Sequence, residues 1–157
     1  MLELCKWTLA HVIDDEGKRA SLPSELEVLY QIADGLDYIH GKNIIHRDVK
    51  PHNILISHYS KVKLADFGLC KKLDIQSAST ITGIKGTLNW MAPELYEVID
   101  EATGKYKEAT KESDIFATGL VFFVFLSAGI HPFGDMNDPF QIPSNIRNKK
   151  KINGITY

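Results

Sequence analysis

Three short motifs at fixed spacing constrain this chain more than any other feature. The first is His46-Arg47-Asp48-Val49-Lys50-Pro51-His52-Asn53. Asp66-Phe67-Gly68 begins thirteen residues after Asn53, and Ala92-Pro93-Glu94 follows further on. Each residue alone would pass for an ordinary surface hydrogen bonder. As a set they put three carboxylates, an amide and a lysine on turn-forming segments in a defined order. A fold that uses them must bring those groups to one place.

The rest of the chain bounds the possibilities. Its 157 residues, 44% hydrophobic and 24% charged, are enough for one domain with a real core. Eighteen Lys+Arg against twenty Asp+Glu leave a net charge of −2, so neither a basic nucleic-acid-binding face nor an acidic disordered tail is indicated. Cys5 and Cys70 are far apart and form no CxxC pair, which argues for two reduced thiols and against a zinc site or a disulfide framework. The start lacks a signal-peptide core. The most apolar run, Gly119 to Ile130, is twelve residues long, too short to span a bilayer, and is expected as a buried helix.

Periodicity places the elements. Residues 3–13 suggest a strand end running into a helix, and Asp14 to Arg19 a charged turn. The clearest helix follows, with Leu26, Leu29, Ile32, Ala33, Leu36 and Ile39 expected on one face. Ser24 with Glu27 fits a capping box, and Gly41 fits a left-handed helix end. Ile54-Leu55-Ile56 and Lys61 to Ala65 predict a hairpin. Residues 69–89 predict a long loop, Trp90 to Glu97 a short helix, residues 100–112 a charged loop and Ser113 to Gly129 an apolar helix broken by His131-Pro132-Phe133-Gly134. The basic run Lys149-Lys150-Lys151 is expected on a solvated surface.

The three motifs resemble the catalytic loop, the metal-binding turn and the end of the activation segment of protein kinases. The residue types suit that chemistry. Phosphoryl transfer to a hydroxyl needs an acceptor for its proton, the role the resemblance gives to Asp48. Phosphate charge needs hard cations with oxygen ligands, so Asn53 and Asp66 are the candidate ligands for two Mg2+ ions. Lys50 would set a cation against the transferring phosphate of ATP. Lys50 two residues after Asp48, and Thr87 placed near both, are similar to the serine/threonine class. Asp114 resembles the buried carboxylate of the central helix, expected to accept main-chain N–H bonds from the catalytic loop. His46 and Phe67 resemble members of the hydrophobic column of active kinases. Ser77, Ser79, Thr80 and Thr82 resemble regulatory hydroxyls, with Arg47 available to pair with a phosphate.

Finer features narrow the resemblance. His52, the run Asp66 to Leu73, Ile130 to Gly134 and Glu3-Leu4-Cys5 together resemble the inositol-requiring kinase/endoribonucleases, sensors of unfolded protein in the endoplasmic reticulum. The 2-5A-dependent ribonuclease is the next nearest, but its catalytic set is degenerate, whereas Asp48, Lys50, Asn53 and Asp66 are intact here. The resemblance implies that Glu3 and Cys5 lie in the adenine-binding hinge and that Leu55 packs under the adenine. It implies autophosphorylation at Ser77, Ser79 or Thr80, pairing of kinase domains at the cytosolic face of that membrane, and a ribonuclease domain beyond the kinase. No membrane span and no direct nucleic-acid contact are expected in this segment.

The expected fold is α+β, mostly α: the C-terminal lobe of a kinase over residues 1–157, incomplete, with the small lobe absent. No GxGxxG and no Val-Ala-Ile-Lys strand occur. The expected function is that of an ATP-dependent serine/threonine kinase lobe, inactive as an isolated chain. The alternative is a nucleotide-responsive scaffold that controls dimerisation and an attached ribonuclease; Asp48→Asn would separate the two.

Overall fold

A computed structural model describes residues 4–72, 88–96 and 108–150. Glu3, Ser77, Ser79, Thr80, Thr82, Thr87 and Lys151 lie outside the described residues.

Strand β1 (Cys5–Thr8) runs directly into helix α1 (Leu9–Ile13), because the Thr8 hydroxyl accepts the His11 N–H and caps the helix. The charged stretch expected as a turn forms a short helix instead, α2 (Glu16–Ala20). The Asp15 carboxylate accepts the Lys18 N–H, converting a charged turn into a capped helical one. Helix α3 spans Glu25–Gly41 with Ser24 as its N-cap.

Two details of α3 differ from the sequence reading. Its buried face is Val28, Ile32, Leu36, Ile39 and His40, while Leu26 is 77% exposed and Ala33 faces solvent. The periodicity located the helix but placed its apolar stripe slightly off, since Leu26 and Ala33 offered apolar alternatives on the neighbouring face. The left-handed residue at its end is Asn43 (φ 57°), not Gly41, which is still helical. Asparagine tolerates that conformation through its short polar side chain.

After β2 (Ile44–Ile45), the turn Pro51–Asn53 leads into β3 (Ile54–Ser57), which pairs antiparallel with β4 (Val62–Leu64), the expected hairpin. Ile54 and Ile56 point into the core, as alternation requires. β1 adds to the other side of β3, giving the order β1-β3-β4. Within the expected long loop, β5 (Lys71–Lys72) pairs with β2. The expected short helix is two 3-10 turns, Leu88–Trp90 and Pro93–Tyr96.

Helix α4 spans Lys111–Leu126. It starts before Ser113 because Thr110 and Ser113 cap each other reciprocally. It ends before Gly129 in a Schellman turn, with Gly129 N–H on Val124 O at 2.8 Å and Ala128 in the left-handed position (φ 52°). Helix α5 spans Gln141–Arg147. One apolar core joins α1, α3, the hairpin, α4 and α5, with Leu9, Val12, Val28, Val121 and Ile142 fully enclosed. Arg19 ties α2 to the end of α4, donating to Phe125 O at 2.7 Å while its guanidinium lies over the Phe125 ring. No helix among the described residues is long and apolar enough to cross a membrane.

Candidate active site

The loop between β2 and β3 is buried over most of its length: Val49 is 2% exposed and packs into the core, and the Asp48 beside it is enclosed as well. Pro51 opens a tight turn that closes with Asn53 N–H on Lys50 O at 2.9 Å, folding Asn53 back toward Asp48. Three of the singled-out residues therefore converge. Asp48 Oδ2 accepts Lys50 Nζ at 2.8 Å and Asn53 Nδ2 at 2.8 Å, and Asn53 Nδ2 also donates to the Asp48 carbonyl at 2.9 Å. Asp48 is 5% exposed and Asn53 7%. A carboxylate that deep is tolerable because a cation and an amide compensate it.

With its Nδ2 committed to Asp48, the Asn53 amide has its oxygen left for a hard cation. The hairpin brings the second candidate ligand close: Ala65 N–H donates to Asn53 O at 2.9 Å, which sets Asp66 beside Asn53. Asp66 is left-handed (φ 61°) with an exposed carboxylate. A Cβ at Gly68 would sit 3.2 Å from Asp66 Oδ1, so the glycine keeps that carboxylate uncrowded. Among the described residues no group of three or more His, Cys, Asp or Glu forms a metal cage. One amide oxygen and one carboxylate suit Mg2+, which takes its remaining ligands from phosphate and water.

The loop is anchored from below by Asp114 in the first turn of α4. Its Oδ2 accepts the His46 N–H and its Oδ1 the Arg47 N–H, both at 2.8 Å. Arg47 is left-handed (φ 72°), a conformation that costs a non-glycine residue about 1–2 kcal/mol and persists because this clamp holds it. The expected role of Asp114 is thus met by geometry.

A third partner was missed from sequence. His40 Nε2 lies 2.9 Å from Asp114 Oδ2, with His40 8% and Asp114 2% exposed. The available signal was a histidine four residues after Leu36 on the buried stripe of α3.

His46 and Phe67 are in contact, ring centroids 5.2 Å apart. His46 Nε2 pairs with Ala65 O at 3.0 Å. Cys70 donates to His46 O at 3.5 Å, and burial, with help from the Asp114 carboxylate, pushes its thiol up to about 11, so it remains a neutral donor. Cys5 and Leu55 share the three-stranded sheet, Cys5 opposite Ser57 and Leu55 opposite Thr8, with both half-buried. Glu94 lies half-buried in the turn Pro93–Tyr96, where burial raises the Tyr96 hydroxyl, a donor to Leu88 O.

Sequence reading also missed the partners of His131, named only as part of a motif. Its Nε2 meets Asn89 O at 3.1 Å, and its Nδ1 accepts the Phe133 N–H at 3.2 Å. Asn145 Nδ2 donates to Phe133 O at 2.8 Å.

An aspartate held by a lysine and an asparagine, a neighbouring aspartate before Phe-Gly, and a helix carboxylate gripping the loop's main chain together form an arrangement that matches the protein kinase class. The protein kinase domain model matches residues 1–156, and the chain belongs to the protein kinase family. It is 43% identical over 142 residues (85% of this chain, 15% of the relative) to the serine/threonine-protein kinase/endoribonuclease IRE2 of Homo sapiens. It is 34% identical over 166 residues (88% and 15%) to the sensor for unfolded proteins in the ER ire1 of Schizosaccharomyces pombe. A bacterial relative, the serine/threonine-protein kinase PrkC of Bacillus subtilis, is 37% identical over 108 residues (69% and 15%). The chain spans 15% of the length of these relatives.

Proposed function

We propose that this chain carries the phosphoryl-transfer centre of an ATP-dependent serine/threonine protein kinase, and that residues 1–157 run from the hinge to just past the central helix. The observation that supports this best is the convergence of Lys50 and Asn53 on one oxygen of Asp48. In this reading Asp48 orients the acceptor hydroxyl and takes its proton, and Lys50 offsets negative charge on the transferred phosphate. Asn53 and Asp66 hold Mg2+, whose chemistry is to neutralise the phosphate oxygens. Asp114 keeps Asp48 in register by fixing the main chain of His46 and Arg47. Glu3 and Cys5 contribute main-chain bonds to adenine, and Leu55 its apolar floor.

The likeness to kinase/endoribonucleases supports a wider proposal for the gene product. It works at the cytosolic face of the endoplasmic reticulum in the unfolded-protein response, pairs with a second copy, and phosphorylates itself at Ser77, Ser79 or Thr80.

Calorimetry with Mg2+ and ATP tests the centre, with Asp66→Ala as control. Magnesium-dependent binding lost in the variant is expected; equal binding by both would overturn the metal assignment. In the full-length gene product Asp48→Asn should abolish transfer to serine or threonine. Persistent nucleotide-driven pairing with no transfer by the wild type would favour a non-catalytic scaffold instead.

A further inference from the structure

His131 lies at the turn after α4, 1% exposed, and belongs to none of the groups around Asp48. Its ring nitrogens have opposite duties. The Phe133 N–H points at Nδ1, so Nδ1 carries the lone pair and Nε2 the proton. Nε2 then donates to Asn89 O, in the segment Leu88–Met91. The ring edge also meets the Trp90 indole, centroids 5.4 Å apart at 82°.

The relay continues outward. Phe133 O accepts Asn145 Nδ2, which ties the turn to α5. Trp90, Phe133 and Asn145 are 4%, 8% and 8% exposed. An apolar residue would fill this space equally well. A buried polar relay, each member oriented by the next and ending on one main-chain carbonyl, specifies a position.

We infer that His131, oriented by Phe133 and Asn145, is a positioning residue that fixes the main chain of Leu88–Met91 on the acceptor side of the phosphotransfer site. The inference rests on the kinase reading above and on the resemblance of Thr87, which precedes this segment in sequence and lies outside the described residues, to the threonine that serine/threonine kinases place near the residues matching Asp48 and Lys50. A displaced Asn89 would disturb how an acceptor peptide is presented to Asp48 and leave nucleotide binding intact.

The test compares full-length wild type with His131→Phe, which keeps a ring against Trp90 but loses the donor, and His131→Asn, which can donate again. The expected result for His131→Phe is an acceptor-peptide KM raised about tenfold, the effect of one lost buried hydrogen bond, with the KM for ATP unchanged. Amide hydrogen exchange across residues 88–96 should accelerate, and His131→Asn should recover part of both effects. An unchanged exchange rate there, or equal shifts in both KM values, would overturn the inference. Should His131→Phe fail to fold, Asn145→Leu leaves His131 in place but frees the Phe133 carbonyl. It should shift acceptor KM and exchange in the same direction by less, and no shift counts against the relay. A wild type that transfers no phosphate would sink the kinase reading, while the exchange comparison would still decide whether His131 fixes the segment.

Discussion

His40 and Asp114, 74 residues apart in sequence, meet as a buried pair at 2.9 Å. The same Asp114 oxygen also accepts the His46 N–H, so the histidine of one helix and the main chain of the loop that carries Asp48 share a single acceptor. Removing that acceptor leaves several donors buried and unpaired. Asp114→Asn should destabilise the fold by about 2–4 kcal/mol in urea denaturation. His40→Phe should cost about 1–3 kcal/mol, and a double-mutant cycle should return a coupling of about 1–3 kcal/mol. A coupling near zero would mean that the contact contributes nothing.

At Asp48, replacing the carboxylate by an amide removes the proton acceptor and the countercharge of Lys50 but little volume. Under the proposed function, Asp48→Asn lowers the rate of transfer by about 10²–10⁴-fold while Mg2+-ATP still binds. Single-turnover kinetics beside calorimetry separates the two effects. A near-normal rate would remove Asp48 from the chemistry.

Gly134 has φ 145°, and a Cβ there would lie 2.2 Å from Gln141 Oε1, which itself accepts the Asp135 N–H. Gly134→Ala therefore strains the backbone and displaces Gln141 together. A loss of about 1–3 kcal/mol in thermal or denaturant unfolding is expected. A variant as stable as wild type would show that the turn relaxes freely.

Burial lowers the His131 pKa to about 4, against a smaller opposing effect of its bond to Asn89. Above the ordinary value of 6.5 the ring is neutral in folded and unfolded chains alike. As pH falls from 6.5 toward 4, the unfolded chain takes up a proton that the folded chain refuses, and stability is lost. The loss attributable to this group is about 3 kcal/mol at its limit. It should appear as a stability difference between wild type and His131→Phe that varies with pH in this window and is flat above it. A pH-independent difference would refute the buried neutral imidazole.

Local order was legible in the residues themselves. Ser24 announced the start of α3, alternation announced the hairpin, and the run Asp48 to Asn53 carried its own turn in Pro51. Those signals act over a few residues, where backbone sterics and one hydrogen bond decide the outcome. The same local view erred where two local solutions lie close in energy. Leu26 and Ala33 were apolar but not buried, Asp15 capped a helix where a turn was expected, and Asn43 took the left-handed position expected at Gly41.

The identities of Asp48, Lys50, Asn53 and Asp66, and the chemistry those side chains suit, were present in the linear order. Which oxygen of Asp48 its neighbours engage, the Asp114 oxygen shared by His40 and the His46 N–H, and the tautomer of His131 arose only on folding. The reason is physical. Side-chain type travels with the chain, but a buried polar contact exists only when packing removes water from both partners and leaves each no other group to satisfy it.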